Sequence, residues 1–140
     1  MNYLLDTSVC IDHMRRPNSP MHEWLDAVDA DTVHLCSVVR GELLLGIRKK
    51  PTERNRQRVL GFLAAFASYP FDNAAAETYA DIRAELESKG QVIGPYDMQI
   101  AAIALLHGAT RVTGNPEEFG RVPDLKLLSL ADLAAGKTRL

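Results

Sequence analysis

The chain is predicted to fold as a three-layer α/β/α domain around a short, central parallel sheet. Three observations carry that expectation. Short apolar runs alternate with amphipathic helical stripes along the sequence, the pattern of a parallel sheet covered by helices on both faces. One helix, over residues 94–108, is apolar on nearly every side and so belongs in the interior. No internal repeat, linker or low-complexity tract interrupts the alternation, and 140 residues suit one domain with a real core. Residues 1–130 are expected to form that domain, with 131–140 as a C-terminal tail polar enough to fray.

Asn2 to Asp6 reads as a buried strand ending in an acid. Thr7 or Ser8 can cap a helix through Val9, Ile11 and Met14, which Pro17 stops. Ser19-Pro20 opens a second helix, where Met21, Trp24, Leu25 and Val28 fall on one stripe. Asp29-Ala30-Asp31 turns the chain into a strand from Thr32 to Cys36. Ser37 is expected to cap the next helix, which carries Val38, Val39, Leu43 and Ile47, with Glu42 one turn in. Lys49-Lys50-Pro51 breaks it. Thr52 opens a longer helix whose buried face is expected to be Val59, Leu60, Leu63 and Phe66. Tyr69-Pro70-Phe71 is a weak strand candidate. Asp72 caps a helix bearing Ala76, Tyr79, Ile82, Arg83 and Leu86, and Gly90 ends it. Pro95 then suits a first helical position and Gly108 the left-handed residue past the end. Arg111-Val112-Thr113 is a short strand, 114–119 a polar loop, and 125–130 the last strand.

Composition narrows the function. The net charge of −2 gives no global nucleic-acid signature, so any basic surface must be local. No apolar run approaches the roughly 18 residues that span a bilayer, and the N-terminus lacks a secretory pattern. Cys10 and Cys36 sit in no metal-type spacing and read as reduced core thiols of a cytoplasmic protein. His13, His22, His34 and His107 are scattered and read as non-catalytic. Arg48, Lys49, Lys50, Arg54, Arg56 and Arg58 crowd one segment and could meet phosphates, although a solvated helix face with a turn is the better reading for most of them.

Ligands of open parallel sheets bind beyond the carboxyl ends of the strands. Asp6 ends the first strand, and Glu42 lies one turn into the helix after the second. Asn115, Glu117 and Glu118 follow the strand ending at Thr113. Asp97 sits in the first turn of the apolar helix, facing the same edge. Each has an ordinary reading: a helix cap for Asp6, dipole compensation for Asp97, solvated charge for the others. Together they would repel, by about 4 kcal/mol for two carboxylates 4 Å apart at an effective dielectric near 20. A bound cation or a raised pKa relieves such a cluster. An oxygen-only donor set favours Mg²⁺, with Mn²⁺ as substitute. Arg40, near Glu42, is a candidate for a substrate phosphate or an internal ion pair.

With these residues in hand, the chain resembles the PIN-domain ribonucleases, specifically the VapC toxins. The motifs are Leu4-Leu5-Asp6-Thr7-Ser8, Ser37-Val38-Val39-Arg40-Gly41-Glu42-Leu43 with Gly46, and Gly94-Pro95-Tyr96-Asp97 with Ile100-Ala101-Ala102. Val112-Thr113-Gly114-Asn115 follows, running to Glu118-Phe119 and Arg121-Val122-Pro123-Asp124-Leu125. They occur in family order over nearly the whole chain. The resemblance implies a toxin that hydrolyses RNA phosphodiester bonds, often in tRNA, by metal-activated water. It implies Asp6 and Asp97 as the principal Mg²⁺ ligands, with Glu42 completing the acidic triad. Asn115 stands where many relatives carry a fourth acid, so Glu118 supplies that carboxylate or none does, and one metal or two stays open. Ser8 and Thr113 resemble the polar residues lining the metal site; with Arg40 and Asn115 they are the candidate substrate contacts. A VapB-type antitoxin, a homodimer and no membrane association are also implied. Asp6→Asn and Asp97→Asn are both expected to abolish cleavage and keep the fold.

Other classes fit less well. Asp6-Thr7-Ser8 matches an aspartic-protease signature, but that class needs a β-rich chain. A phosphoacceptor receiver domain would want an acidic pair after the first strand and a late lysine. The non-enzyme alternative is a catalytically decayed PIN-like module that binds RNA or protein.

Overall fold

The computed structural model describes residues 1–136. Five strands form one parallel sheet: β1 (Tyr3–Leu5), β2 (Val33–Cys36), β3 (Ala67–Tyr69), β4 (Thr110–Thr113) and β5 (Leu127–Ser129). Their order across the sheet is β3-β2-β1-β4-β5. The helices are α1 (Thr7–Arg15), α2 (Pro20–Ala27), α3 (Ser37–Lys49), α4 (Glu53–Ala64), α5 (Asn73–Ser88), α6 (Pro95–Leu106), α7 (Pro116–Phe119) and α8 (Leu130–Ala134). They make the outer layers of the expected α/β/α fold. The central strands are short and buried along their whole length, as a sheet covered on both faces requires. The strand order reverses between β1 and β4, which places the switch-point crevice beyond Leu5 and Thr113.

The helix at 95–106 forms as expected. Met98, Ile100 and the run from Ala101 to Ala104 are all buried, so its middle is apolar because it is enclosed there, while Tyr96 and Leu106 near its ends are exposed. It ends in a Schellman motif: Ala109 N–H donates to Ala104 O at 2.8 Å and Gly108 N–H to Leu105 O at 3.2 Å, with Gly108 at φ 61°. A second core region joins α5 to α6 through Ile82, Leu86, Met98 and Ala101, with Phe119 and Val122 beneath.

Several local expectations change. Asp6, not Thr7 or Ser8, caps α1, because its extended backbone lets the carboxylate accept from Val9 N–H at 3.3 Å. Cys36 is the extended residue before α3, with no side-chain cap, and Ser37 is already helical. Leu60 is exposed, turned off the face of α4 that buries Val59 and Leu63. The β3 strand falls at 67–69 rather than 69–71, ahead of Pro70, which lacks a ladder donor. Residues 116–119 form a helical turn started by Pro116. The expected tail begins as a helix: a capping box between Ser129 and Asp132 starts α8, which packs on α2. Residues 137–140 of that tail lie outside the described residues. No described helix is long and apolar enough to cross a membrane.

His13 and His22 lie with ring centroids 4.1 Å apart, and His13 also meets Phe62 at 5.5 Å. Burial, then the neighbouring His22, holds the His13 pKa below its ordinary 6.5. The unfolded chain therefore binds the proton more readily. Stability is expected to fall as pH drops below about 6.5, and the loss is complete once pH passes the lowered folded value. Thermal melts between pH 7.5 and 5 should show this slope, and His13→Gln should flatten it; an unchanged slope in the variant would refute the assignment.

Candidate functional site

The switch-point crevice is a cavity of about 340 Å³ lined by Asp6, Thr7, Ser8, Ile11, Glu42, Asp97, Asn115, Glu118 and Phe119. Four separated segments thus bring four carboxylates to one pocket. Asp6 arrives because β1 ends there; its N–H completes the ladder to Val112 O at 3.1 Å. Asp97 arrives on the first turn of the enclosed helix α6. Glu42 reaches in from α3 and accepts from Thr7 Oγ1 at 3.0 Å. Glu118 comes from α7 and accepts from Asn115 Nδ2 at 2.8 Å.

The polar residues between them form a connected set. Ser8 Oγ donates to Asp6 Oδ1 at 2.7 Å and accepts from Gly114 N–H at 3.2 Å, tying the end of β1 to the end of β4. A Cβ at Gly114 would meet Ser8 Oγ at 3.2 Å, so a larger residue there would press on the Ser8 hydroxyl. Thr113 is buried, and its Oγ1 accepts from Asn115 N–H at 3.0 Å. Arg40 is exposed, does not line the pocket and forms no ion pair among the described residues.

Arg111 went unnoticed in the sequence beyond its place in a strand. Its side chain is wholly buried between the two aspartates. Nε donates to Asp6 Oδ2 at 3.3 Å, Nη2 to Asp97 Oδ1 at 3.2 Å, and Nη1 to the Asp97 carbonyl at 2.9 Å. The Phe119 ring closes one face of the guanidinium, 3.5 Å from its carbon to the ring centroid. A signal was present: an arginine inside a strand expected to be buried needs a carboxylate partner.

Burial pushes the Asp97 carboxyl above its usual range; Arg111 opposes this, while the charges of Glu118 and Asp6 add to it. Helix-dipole stabilisation at the first turn of α6 therefore does not decide its ionisation. Burial also raises both thiols, Cys10 strongly, which suits core packing rather than nucleophilic chemistry.

The donor set suits a hard cation. Asp97 Oδ2 accepts no hydrogen bond from the protein among the described residues, and a Cβ at Gly94 would lie 3.3 Å from it. No group of three or more His, Cys, Asp or Glu among the described residues stands close enough to cage a metal. Mg²⁺ does not require one, since it commonly takes one or two carboxylates and keeps several waters.

A groove of about 380 Å³ adjoins the pocket, sharing Ile11 and Glu42 with it. Arg15, Lys50 and Arg58 line it. Of the basic segment at 48–58, only Lys50 and Arg58 reach this groove.

Residues 3–125 match the family model described as PIN domain. The chain is 35% identical over 129 residues to Ribonuclease VapC2 of Rickettsia felis, covering 91% of this chain and 96% of that protein. It is 35% identical over 130 residues to the tRNA(fMet)-specific endonuclease VapC of Salmonella typhimurium, with the same two coverages. Among solved structures it resembles a chain of the DNA-bound VapBC of Salmonella typhimurium, with a TM-score of 0.87 and 32% identity, covering 93% of this chain and 98% of that one.

Proposed function

The chain belongs to the PIN-domain family, as a VapC toxin of a toxin–antitoxin system, and on that premise we propose that it is a Mg²⁺-dependent endoribonuclease. The observation that carries the proposal is the single pocket lined by Asp6, Glu42, Asp97 and Glu118 at the topological switch point. Asp6 and Asp97 would hold the ion, with Glu42 and Glu118 at the rim, and Mn²⁺ would substitute. When bound, the ion supplies an activated water and neutralises charge on the phosphodiester.

The chain's own residues do the rest. Ser8 and Val9 N–H orient the Asp6 carboxylate. The Asn115–Glu118 bond holds the polar loop beside the ion's place, whether Glu118 ligates it or contacts the substrate. Ser8 and Asn115 are proposed to meet the RNA near the cut, while Thr113, buried and outside the pocket lining, holds the Asn115 backbone in place. Arg15, Lys50 and Arg58 give the adjoining groove the local positive charge that a phosphate backbone needs. Arg40, exposed on α3 and outside both cavities, is proposed to take a more distant phosphate.

The substrate proposed is tRNA or another structured RNA, in keeping with the name of the Salmonella relative. The partner proposed is a VapB-type antitoxin, as in the VapBC assemblies. A homodimer is also proposed: exposed Leu45 and Tyr96 line an apolar groove with Val38 that a second copy would cover. The setting proposed is the cytoplasm.

Purified protein incubated with total cellular RNA is expected to yield discrete fragments with Mg²⁺ and none with chelator. Absence of any metal-dependent product would overturn the reading. A PIN-fold binding module without activity is the second reading, favoured by Arg111 lying between the aspartates and by Asn115 in the loop. Mn²⁺ that leaves the melting temperature unchanged would support it.

A further inference from the structure

The two aspartates at the centre of the pocket already share a cation. Arg111 is the largest fully buried side chain in the described protein, and it spends its guanidinium on Asp6, Asp97 and the Asp97 carbonyl. Its position is not that of a mobile surface arginine. The side chain rises from β4, flanked by β1 and β5, and its guanidinium carbon lies 3.5 Å from the centroid of the Phe119 ring. A guanidinium fixed in this way presents a permanent positive charge within hydrogen-bond distance of one oxygen of each carboxylate. Those same carboxylates would receive a divalent ion, which must then bind beside a like charge.

We propose that Arg111 is a resident counter-ion of the aspartate pair, a positioning residue that keeps Asp6 and Asp97 in place without metal and weakens this chain's hold on a divalent cation. The inference rests on the reading of this pocket as a cation site. Asp97 Oδ2, the oxygen that Arg111 does not engage, is where an ion gains a ligand without displacing the arginine. Asp6 offers less: Oδ1 accepts from Ser8 and Val9, and Oδ2 from Arg111. An ion that also takes Asp6 Oδ2 competes directly with Nε. The arrangement therefore ties the strength of metal binding to how firmly Arg111 is held by Asp6 and Phe119.

The test is Mn²⁺ titration by calorimetry on the full chain, comparing wild type with Arg111→Gln and Arg111→Lys. Arg111→Gln removes the charge but keeps a donor, and is expected to bind Mn²⁺ at least tenfold more tightly. Arg111→Lys restores the charge and is expected to stay within about threefold of wild type. Equal or weaker binding in Arg111→Gln overturns the proposal, as does tighter binding in both variants or no binding by any protein. Should the variants fail to fold, the wild type supplies the readout. The Arg111 Nε–H resonance is expected to shift and to exchange faster with solvent at saturating Mg²⁺. An unmoved resonance, with Mg²⁺ binding demonstrated by calorimetry, also overturns it. Failure of the nuclease reading is seen separately. A wild type that cuts RNA while Arg111→Gln binds metal no better sinks only the counter-ion proposal. A wild type that cuts nothing while Arg111→Gln gains metal sinks only the nuclease.

Discussion

Asp97→Asn is expected to lower RNA cleavage by about a thousandfold or more, with a melting temperature within a few degrees of wild type. A thousandfold corresponds to about 4 kcal/mol of barrier, a reasonable loss for one of two principal anionic ligands. The fold should tolerate the change for three structural reasons. The side chain is 39% exposed, so its charge contributes little to stability once solvent screening is counted. Asparagine keeps an oxygen that can accept from Arg111 Nη2. The shorter bond from Nη1 goes to the Asp97 backbone carbonyl at 2.9 Å and does not depend on the side chain at all. Burial also disfavours the ionised form of Asp97, so a neutral amide relieves part of that cost. Fragment yield on a labelled RNA with Mg²⁺, paired with a thermal melt, checks both halves. Undiminished cleavage would remove Asp97 from the site.

Most of the architecture was legible because its cues are local. Alternating strand and helix patterns, Asp72 as a cap, Pro95 at the start of α6 and Gly108 at its end act within a few residues of themselves. The carboxylates could be gathered in advance because a parallel α/β topology sends every strand end to one edge. What the chain did not disclose was set by partners distant in sequence. Arg111 and Asp6 are 105 residues apart, and only the β1–β4 pairing brings them together. Ser8 and Gly114 meet for the same reason. The cap of α1 was misplaced by one or two residues because Asp6, Thr7 and Ser8 are all good caps. The choice among them depends on where β1 ends, which tertiary pairing decides. Helix α8 is not legible in the sequence, because five residues carry too little periodicity to reveal a helix whose capping box and packing on α2 hold it.

Asp6→Asn should behave differently from Asp97→Asn, against the sequence-based expectation that both preserve the fold. Asp6 is 2% exposed, and both of its oxygens are committed. Oδ1 accepts from Ser8 Oγ at 2.7 Å and from Val9 N–H at 3.3 Å, while Oδ2 accepts from Arg111 Nε at 3.3 Å. An amide cannot reproduce this set. With its NH₂ toward Arg111, two donors face each other; flipped, the NH₂ meets the Val9 N–H and the cap of α1 is lost. Either rotamer leaves a buried donor unsatisfied, at a cost of about 1–3 kcal/mol. It also strips the buried Arg111 of one of its two carboxylates, and breaking a buried pair from one side typically costs about 3–5 kcal/mol. Because Asp97 continues to hold the guanidinium, a total on the order of 3 kcal/mol is expected, or roughly 10 °C in melting temperature for a domain of this size. The two residues should also be coupled. If Arg111 is the source of the penalty, Asp6→Asn combined with Arg111→Gln will cost less than the sum of the single changes, by about 1 kcal/mol or more. A wild-type melting curve for Asp6→Asn, or strict additivity in the double variant, would show that the buried pair contributes nothing to the fold. The loss of cleavage in Asp6→Asn could then be read as a change at the site alone. If the coupling is found, the same loss must first be separated from unfolding, which makes Asp97 the cleaner probe of the chemistry and Asp6 the probe of how that chemistry is held in place.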